Sequence, residues 1–138
     1  MSCNIDKIYD MLSWDNDLEI QTQGIAEAKK MRSLSGFILP ILGRKNSKAV
    51  WENCAKVLEG KSNRELEPYQ QELFRWLQDL NWPGATIIYD RLLQIPYSEI
   101  ETALDVCLRS AKETNDWAWE RALLAFKKDK LDKGEIME

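Results

Sequence analysis

Residues 76–85 read Trp-Leu-Gln-Asp-Leu-Asn-Trp-Pro-Gly-Ala, a polar break between tryptophans that opens an apolar segment of helical period. Weaker copies of this pattern recur along the chain, each pairing an asparagine with a nearby tryptophan. The asparagines are Asn16, Asn46, Asn81 and Asn115, so the successive spacings are 30, 35 and 34 residues. A period of this length in an all-helical pattern is typical of stacked helix pairs.

Apolar residues at helical spacing divide the chain into about four helix pairs. Capping-box patterns predict three helix starts, at Asn16 with Glu19, Ser62 with Glu65, and Ser98 with Glu101. Pro83 is predicted to fall in the first turn of a helix, and the small Gly84 and Ala85 allow that helix to lie close to a neighbour. Pro40 interrupts the second pair. The charged segment 127–138 is expected to fray, or to extend the last helix weakly without burying much.

These patterns predict an all-α fold in one domain over residues 1–138. The expected architecture is a short right-handed solenoid of about four antiparallel helix pairs. Within each pair the second helix is the more apolar one, which predicts an inner layer of second helices and an outer layer of first helices. Gly24 lies inside a predicted helix, where a close approach of another helix would explain the absence of a side chain.

Composition argues against several classes of partner and location. The net charge of −4 and the isoelectric point near 5.0 argue against a nucleic-acid partner, which needs a clustered basic face. No apolar run approaches the ~20 residues of a membrane span, and the first residues lack the pattern of a signal peptide. Cys3, Cys54 and Cys107 are odd in number and far apart, which favours reduced thiols in a cytoplasmic protein. Cys54 and Cys107 are expected to be small core residues.

The sequence contains no histidine. Histidine is the commonest general base and the commonest metal ligand, so Ser-His and Cys-His nucleophile pairs cannot be built. Three distant cysteines do not have the spacing of a zinc site. We therefore predict a non-enzymatic protein without a metal or a cofactor. Catalysis by carboxylate, lysine or tyrosine is the chemistry that the composition leaves open.

The C-terminal half resembles a bacterial family of unknown function with the signature Trp-Leu-Gln-Asp-x-Asn-Trp-Pro, matched here at residues 76–79 and 81–83. The helix pairs with Asp or Asn at the turn, as in residues 14–20, also resemble HEAT-like and armadillo-like repeats over most of the chain. The family resemblance implies a small helical protein with no established activity, whose relatives are suspected of acting as immunity or accessory partners beside toxins. HEAT-like repeats often carry an inward arginine on the second helix, and Arg121 is the candidate here.

The six tryptophans are the first candidates for a binding surface, because tryptophan is enriched in interface hot spots. The alternative is that they close the core. Four are expected to do so at inter-helix turns, namely Trp14, Trp51, Trp82 and Trp117. The helical phase of the other two, Trp76 and Trp119, predicts partial exposure. The candidate binding residues among the six are Trp76, Trp82 and Trp119.

Polar residues form the second group of candidates. Asp79 and Asn81 either present a polar hook to a partner or bond free backbone N–H groups at a helix turn. Glu99, Glu101 and Asp105 either meet a basic partner or are solvated acids near a positive helix N-terminus.

We expect a protein–protein interaction module, of the immunity or accessory type, that binds a basic partner with one layer of the stack. Two alternatives stay open. One is a small-ligand protein with a pocket lined by several of Trp51, Trp82, Tyr89 and Trp119. The other is a nucleic-acid enzyme that uses carboxylates and aromatic residues on a helical-repeat scaffold, which would need a basic groove.

Overall fold

The computed structural model of the protein describes residues 5–31, 35–38 and 48–132. These residues form helices and turns and contain no strand, which confirms the all-α class. The helices are α1 (Ile5–Leu12), α2 (Leu18–Lys29), α3 (Ser35–Ile38), α4 (Trp51–Glu59), α5 (Asn63–Leu66), α6 (Gln70–Arg75), α7 (Ala85–Leu93), α8 (Tyr97–Glu113) and α9 (Trp117–Asp132). Short 3-10 turns lie at Lys48–Val50, Glu67–Tyr69 and Trp76–Gln78. Pro40, Asn46 and the last six residues of the expected tail lie outside the described residues.

The predicted capping box at the start of α5 is confirmed. The Ser62 hydroxyl accepts from the Glu65 N–H at 3.1 Å, and the Glu65 carboxylate accepts from the Ser62 N–H at 2.9 Å. These bonds satisfy two backbone donors that the first turn of a helix cannot pair internally. They also hold the pKa of the Glu65 carboxyl below its usual range, because they favour its ionised form.

The other two predicted boxes are wrong. The N-cap of α2 is Asp17, whose carboxylate accepts from the Ile20 N–H at 3.0 Å. Asn16 instead donates its amide N–H to the carbonyl of Asp10 and so helps to end α1. At the other site α8 begins at Tyr97, directly after a proline, and no side chain caps it. Proline has no N–H and a fixed φ, so it suits a helix entry without a capping side chain.

The second helices of the predicted pairs pack on one another in chain order, with α2 on α4, α4 on α7 and α7 on α9. The expectation that the second helix is the more apolar of each pair is wrong for α2 and α9, which are less apolar than α1 and α8. In addition, α6 packs on α8, and α8 packs on α9. The core residues from α1 to α9 form one contiguous hydrophobic cluster. Burial of apolar area in that cluster is the main source of stability, at roughly 25 cal/mol per Å².

Two glycines allow helices to approach closely, as predicted. A Cβ on Gly24 would lie 2.8 Å from the Met11 Cβ, and a Cβ on Gly84 would lie 2.8 Å from the Ala55 Cβ. Gly84 also has a φ of +91°, in the left-handed region that favours glycine. It is the N-cap of α7, so Pro83 lies just before the helix and not in its first turn.

The expectation that Trp76 and Trp119 are partly exposed is wrong, because both are buried. Trp76 lies in a 3-10 turn with three residues per turn, which shifts its phase from that of an α-helix. Its indole N–H donates to the Ile38 carbonyl, and that of Trp119 donates to the Phe74 carbonyl at 3.0 Å. Buried indole groups usually find such a partner, and each bond here joins segments far apart in the chain.

The tryptophans at the helix turns divide into two classes. Trp51 is buried and Trp82 is half-buried, and their rings meet edge to face with centroids 5.4 Å apart. Trp14 and Trp117 are 48% and 69% exposed, so the expectation that they close the core is wrong.

The C-terminal segment is better ordered than expected. Helix α9 continues to Asp132, and the Lys130 side chain within it is fully buried. The expectation that the segment from Lys127 buries little is therefore wrong up to Asp132. Over the described ranges, no helix is both long enough and apolar enough to cross a bilayer.

Candidate functional site

A cleft of about 430 Å³ lies between α6, the turn that precedes it, and the first two turns of α8. Three glutamates contribute to its lining, and we refer to them as the cleft carboxylates: Glu67, Glu72 and Glu99. The remaining lining includes Gln70, Gln71 and Thr102, so the cleft presents mostly polar side chains. Its volume lies at the lower end of the ~300–1,000 Å³ typical of ligand pockets.

The sequence explains why the cleft forms at this place. Pro68 lacks an N–H, so the helical run is interrupted by the 3-10 turn Glu67–Tyr69 between α5 and α6. Helix α6 then packs on α8, and the Cys107 thiol on α8 makes a weak hydrogen bond to the Gln71 carbonyl at 3.7 Å. This arrangement brings the start of α6 beside the first two turns of α8.

The cleft carboxylates are not neutralised by the fold. Within the residues that the structure describes, none of the three takes part in an ion pair within 4.0 Å. The cations nearest to them in the chain are Arg64 and Arg75, both exposed, and Arg75 acts with Glu72 on the electrostatics of Cys107. Like charges that line a concave surface raise the local concentration of cations.

Among the described lining residues, Gln70 is the one polar side chain that is deeply buried, with 7% of its surface exposed. Its side-chain amide nitrogen is buried and has no hydrogen-bond partner. A buried donor without an acceptor costs about 1–3 kcal/mol, so the residue is unfavourable for the fold as it stands.

Gln70, Glu67 and Glu72 were missed from the sequence, although one of them leaves a signal. Gln70 falls in a stripe of residues, three or four apart, that faces the core. The other members of this stripe are apolar and buried, namely Leu66, Leu73 and Leu77. A polar residue in an inward position is a departure from the amphipathic pattern that needs an explanation.

The acidic residues predicted on α8 do not share one face. Glu99 lines the cleft. Glu101 is two residues further along the helix and so lies about 160° away around its axis. The pKa of Tyr97 is raised, mainly by burial and then by the charges of Glu101 and Asp105. Those two acids therefore lie on the side of α8 that carries Tyr97. All three acids are exposed.

Asp79 and Asn81 lie in the turn that connects the 3-10 turn Trp76–Gln78 to α7. The Asp79 carboxylate accepts from the Asn81 N–H at 2.8 Å, and the Asp79 carbonyl accepts from the Trp82 N–H at 3.0 Å. The carboxylate therefore serves the backbone, as in other Asx turns. The structure does not bring these two residues together with the acids of the cleft lining.

Among the residues that the structure describes, three cations are buried, and we refer to them as the buried cations: Lys61, Arg91 and Lys130. The Lys61 ammonium donates to the Lys29 carbonyl at the end of α2, at 2.6 Å, and also lies 3.8 Å from the Glu65 carboxylate. Arg91 donates to three acceptors at the end of α4 and the start of α5: the Glu59 carbonyl at 3.2 Å, the Lys61 carbonyl at 2.7 Å and the Asn63 side chain at 2.7 Å.

Lys130 completes the set, because its ammonium donates to the carbonyls of Leu93 and Ile95 at 2.9 and 2.7 Å, after α7. Each buried cation therefore binds carbonyls at the C-terminal end of a second helix, where the helix dipole favours positive charge. The first acceptors are Lys29, Glu59 and Leu93, so they are spaced by 30 and 34 residues. The inward arginine predicted at Arg121 is wrong, since Arg121 is exposed and Arg91 takes the inward position.

The two described cysteines are buried and free, as expected of small core residues. Burial raises the pKa of the Cys54 thiol to about 12 and that of Cys107 to about 11, so neither is an available thiolate at neutral pH. In the described part of the chain no three Cys, Asp or Glu side chains are grouped closely enough to hold a metal ion, the cleft carboxylates included.

These features define a small all-helical protein with a mostly polar cleft lined by unpaired acids. A family model described as Domain of unknown function (DUF5071) matches residues 49–138, so the chain belongs to that family. The match extends from the turn before α4 to the end of the chain and includes every residue of the cleft lining. The prediction of a family of unknown function is confirmed at that level. No curated protein and no solved structure matches the chain.

Proposed function

We propose that this protein is a non-enzymatic interaction module that binds a basic protein partner through its acidic cleft. The observation that carries the proposal is the set of three cleft carboxylates without ion pairs on a chain whose net charge is already −4. In this proposal the protein acts as an immunity or accessory protein, whose acidic surface meets a cationic partner. Complementary charge of this kind raises association rates and selects against acidic competitors.

The proposed architecture is a short right-handed HEAT-like solenoid. Two regularities support it. The second helices pack on one another in chain order, and the buried cations bind their C-terminal ends at spacings of 30 and 34 residues. Spacings in this range are typical of repeats that contain one helix pair each. A stack of this kind presents the ends and outer faces of its helices as a binding surface.

The aromatic small-ligand pocket has less support than the acidic cleft. Trp51 meets the ring of Trp82, Tyr89 meets the ring of Phe126, and Trp119 is buried with its indole bonded to a carbonyl. Trp51 and Trp119 thus belong to the hydrophobic core, and Trp82 and Tyr89 pack against it. The nucleic-acid enzyme stays a prediction that no observation favours.

The proposal is tested by capture of partners from cells that express the chain, with the wild type and two charge-matched triple variants. The cleft variant carries Glu67→Gln, Glu72→Gln and Glu99→Gln. The matched control carries Glu101→Gln, Asp105→Asn and Glu113→Gln, which removes the same charge from exposed positions on α8.

We expect the wild type and the control to capture the same basic protein, and the cleft variant to lose it. Loss of the partner in the control alone would move the binding surface to the Glu101 side of α8. Equal capture by all three proteins would contradict the proposal. Circular dichroism melts confirm that both variants remain folded.

A further inference from the structure

We infer that the solvent face of α9 is a contact surface for a second copy of this chain, which packs on it in antiparallel orientation. The exposed large apolar residues of this helix, which we refer to as the α9 stripe, are Trp117, Leu124 and Leu131. The inference does not rest on the proposed function, because the lining of the acidic cleft includes no residue of α9.

The α9 stripe is a continuous apolar line on the outside of the molecule. Its side chains are 69%, 49% and 43% exposed in chain order, and successive members are seven residues apart. Seven residues of an α-helix complete two turns to within about 20°, so the three side chains share one face along roughly 21 Å. The opposite face of α9, with Trp119, Leu123 and Phe126, is buried in the core.

The place of α9 in the fold explains why this face is uncovered. Helices α4 and α7 each pack on the second helix before them and on the second helix after them, whereas α9 is the last of the series. No helix among the described residues therefore follows it in the stack.

The other end of the stack, at α2, differs from this one. Its two large exposed apolar residues, Leu18 and Ile20, are two residues apart and so lie about 160° apart around the helix. Its later exposed residues include the polar Thr22, Gln23 and Glu27. A polar end of this kind keeps a helical stack soluble, so the apolar line on α9 calls for a partner.

The spacing of the α9 stripe selects a second copy as that partner. The stripe is symmetric about Leu124, so a two-fold axis at this residue places each Trp117 against the Leu131 of the other chain. The same surface then serves both chains, and the contact closes at two copies. The antiparallel orientation also places the positive end of each helix beside the negative end of the other.

The charges on one flank of the stripe are complementary in this orientation. Glu120 lies four residues before Leu124 and Lys127 lies three residues after it, so each Glu120 meets the Lys127 of the other chain. Neither residue makes an ion pair within 4.0 Å with another described residue of its own chain. Both charges are therefore free to pair across the two-fold axis.

The other flank keeps the contact weak. Arg121 approaches the Lys128 of the other chain, although Asp132, which accepts from Lys128 at 3.0 Å, reduces this repulsion. One helix from each copy also buries less than the ~800 Å² per partner of a typical stable complex. We therefore expect a reversible dimer with a Kd of about 10–100 μM.

Sedimentation velocity of the full chain, over concentrations that span this Kd, tests the inference. Leu124→Glu places two like charges at the two-fold axis without partners and should weaken the dimer at least about tenfold. Leu18→Glu is the matched control, because it introduces the same charge at an exposed leucine outside the stripe and should leave the affinity unchanged. Circular dichroism melts verify that both variants are folded.

The orientation is tested with Lys127→Glu. In the antiparallel dimer the new carboxylate faces the Glu120 of the other chain, so the affinity should fall by about fivefold. The addition of Glu120→Lys should restore it. In a parallel dimer, position 127 would face the Lys128 of the other chain, and a gain of affinity in Lys127→Glu would overturn the antiparallel arrangement.

The outcomes of the sedimentation experiment support or overturn the dimer. Association of the wild type that is lost in Leu124→Glu and kept in Leu18→Glu supports it. A wild type that stays monomeric at every concentration would overturn it, and so would equal losses of affinity in the two leucine variants. Binding of such a monomer to vesicles of anionic phospholipid would assign the stripe to a membrane surface instead.

Discussion

The buried cations and the cleft carboxylates are equal in number and opposite in sign, yet the fold treats them differently. Each cation is buried and donates to backbone carbonyls at the end of a helix. Each carboxylate lies at a cleft near the surface without an ion pair among the described residues. Charge that is buried must be satisfied for the chain to fold, whereas charge beside water can be kept for a partner. The comparison separates residues that serve stability from those available for binding.

Loss of a buried cation should have the largest effect on stability. Lys130→Met should lower the free energy of unfolding by about 3 kcal/mol, because the carbonyls of Leu93 and Ile95 lose their donor inside the fold. Urea denaturation measures the change. Lys128→Met is the control, since Lys128 lies on the same helix with its side chain exposed, and its change should stay within about 0.5 kcal/mol. If Lys130→Met changed the free energy of unfolding as little as this control, Lys130 would be solvated and not buried.

A change in the shape of a buried cation should have a smaller effect. Arg91→Lys keeps the positive charge but cannot reach the carbonyls of Glu59 and Lys61 together with Asn63, so the free energy of unfolding should fall by about 2 kcal/mol. Arg121→Lys, at an exposed position of α9, should be neutral. A neutral Arg91→Lys would mean that the charge alone, and not the planar group, holds the end of α4.

A substitution in the cleft should instead raise stability. Gln70→Leu removes a buried amide without a partner and keeps a similar volume, so the free energy of unfolding should rise by about 1 kcal/mol. Gln71→Leu, at an exposed neighbour in the same lining, should give no gain. A loss of stability in Gln70→Leu would show that the Gln70 amide has a hydrogen-bond partner in the fold.

Removal of the cleft carboxylates should have the smallest effect. Glutamine at all three positions should change the free energy of unfolding by less than about 0.5 kcal/mol, because the fold gives these groups no ion-pair partner. The same urea experiment measures it. A decrease of more than about 1 kcal/mol in the free energy of unfolding would show that the carboxylates stabilise the fold, as the buried cations do.

The parts of the fold that could be predicted follow from local rules. The helical class, the box at Ser62 and Glu65, and the close approaches at Gly24 and Gly84 depend on residues that are neighbours in sequence or on the absence of a side chain. The prediction that Trp76 is partly exposed was wrong, because a short 3-10 turn shifts the helical phase there. A phase computed for a continuous α-helix assigns such a residue to the wrong side.

The site was harder to predict than the fold, because it depends on contacts between distant parts of the chain. Glu99 was named as an acid of α8, but Glu67 and Gln70 join it only when α6 packs on α8. The buried cations were missed for a related reason. Lysine and arginine look like solvated residues in a sequence, and their acceptors lie some 30 or more residues earlier in the chain.

The order of the buried cations has a consequence for synthesis on the ribosome. The carbonyls at the end of α2 receive their donor from Lys61, those at the end of α4 from Arg91, and those after α7 from Lys130. In every case the donor is translated after its acceptors. In the nascent chain, the carbonyls at the end of each of these helices therefore lack their donor until the next helix pair has been synthesised. A chain truncated before Lys130 would leave the carbonyls after α7 exposed to water.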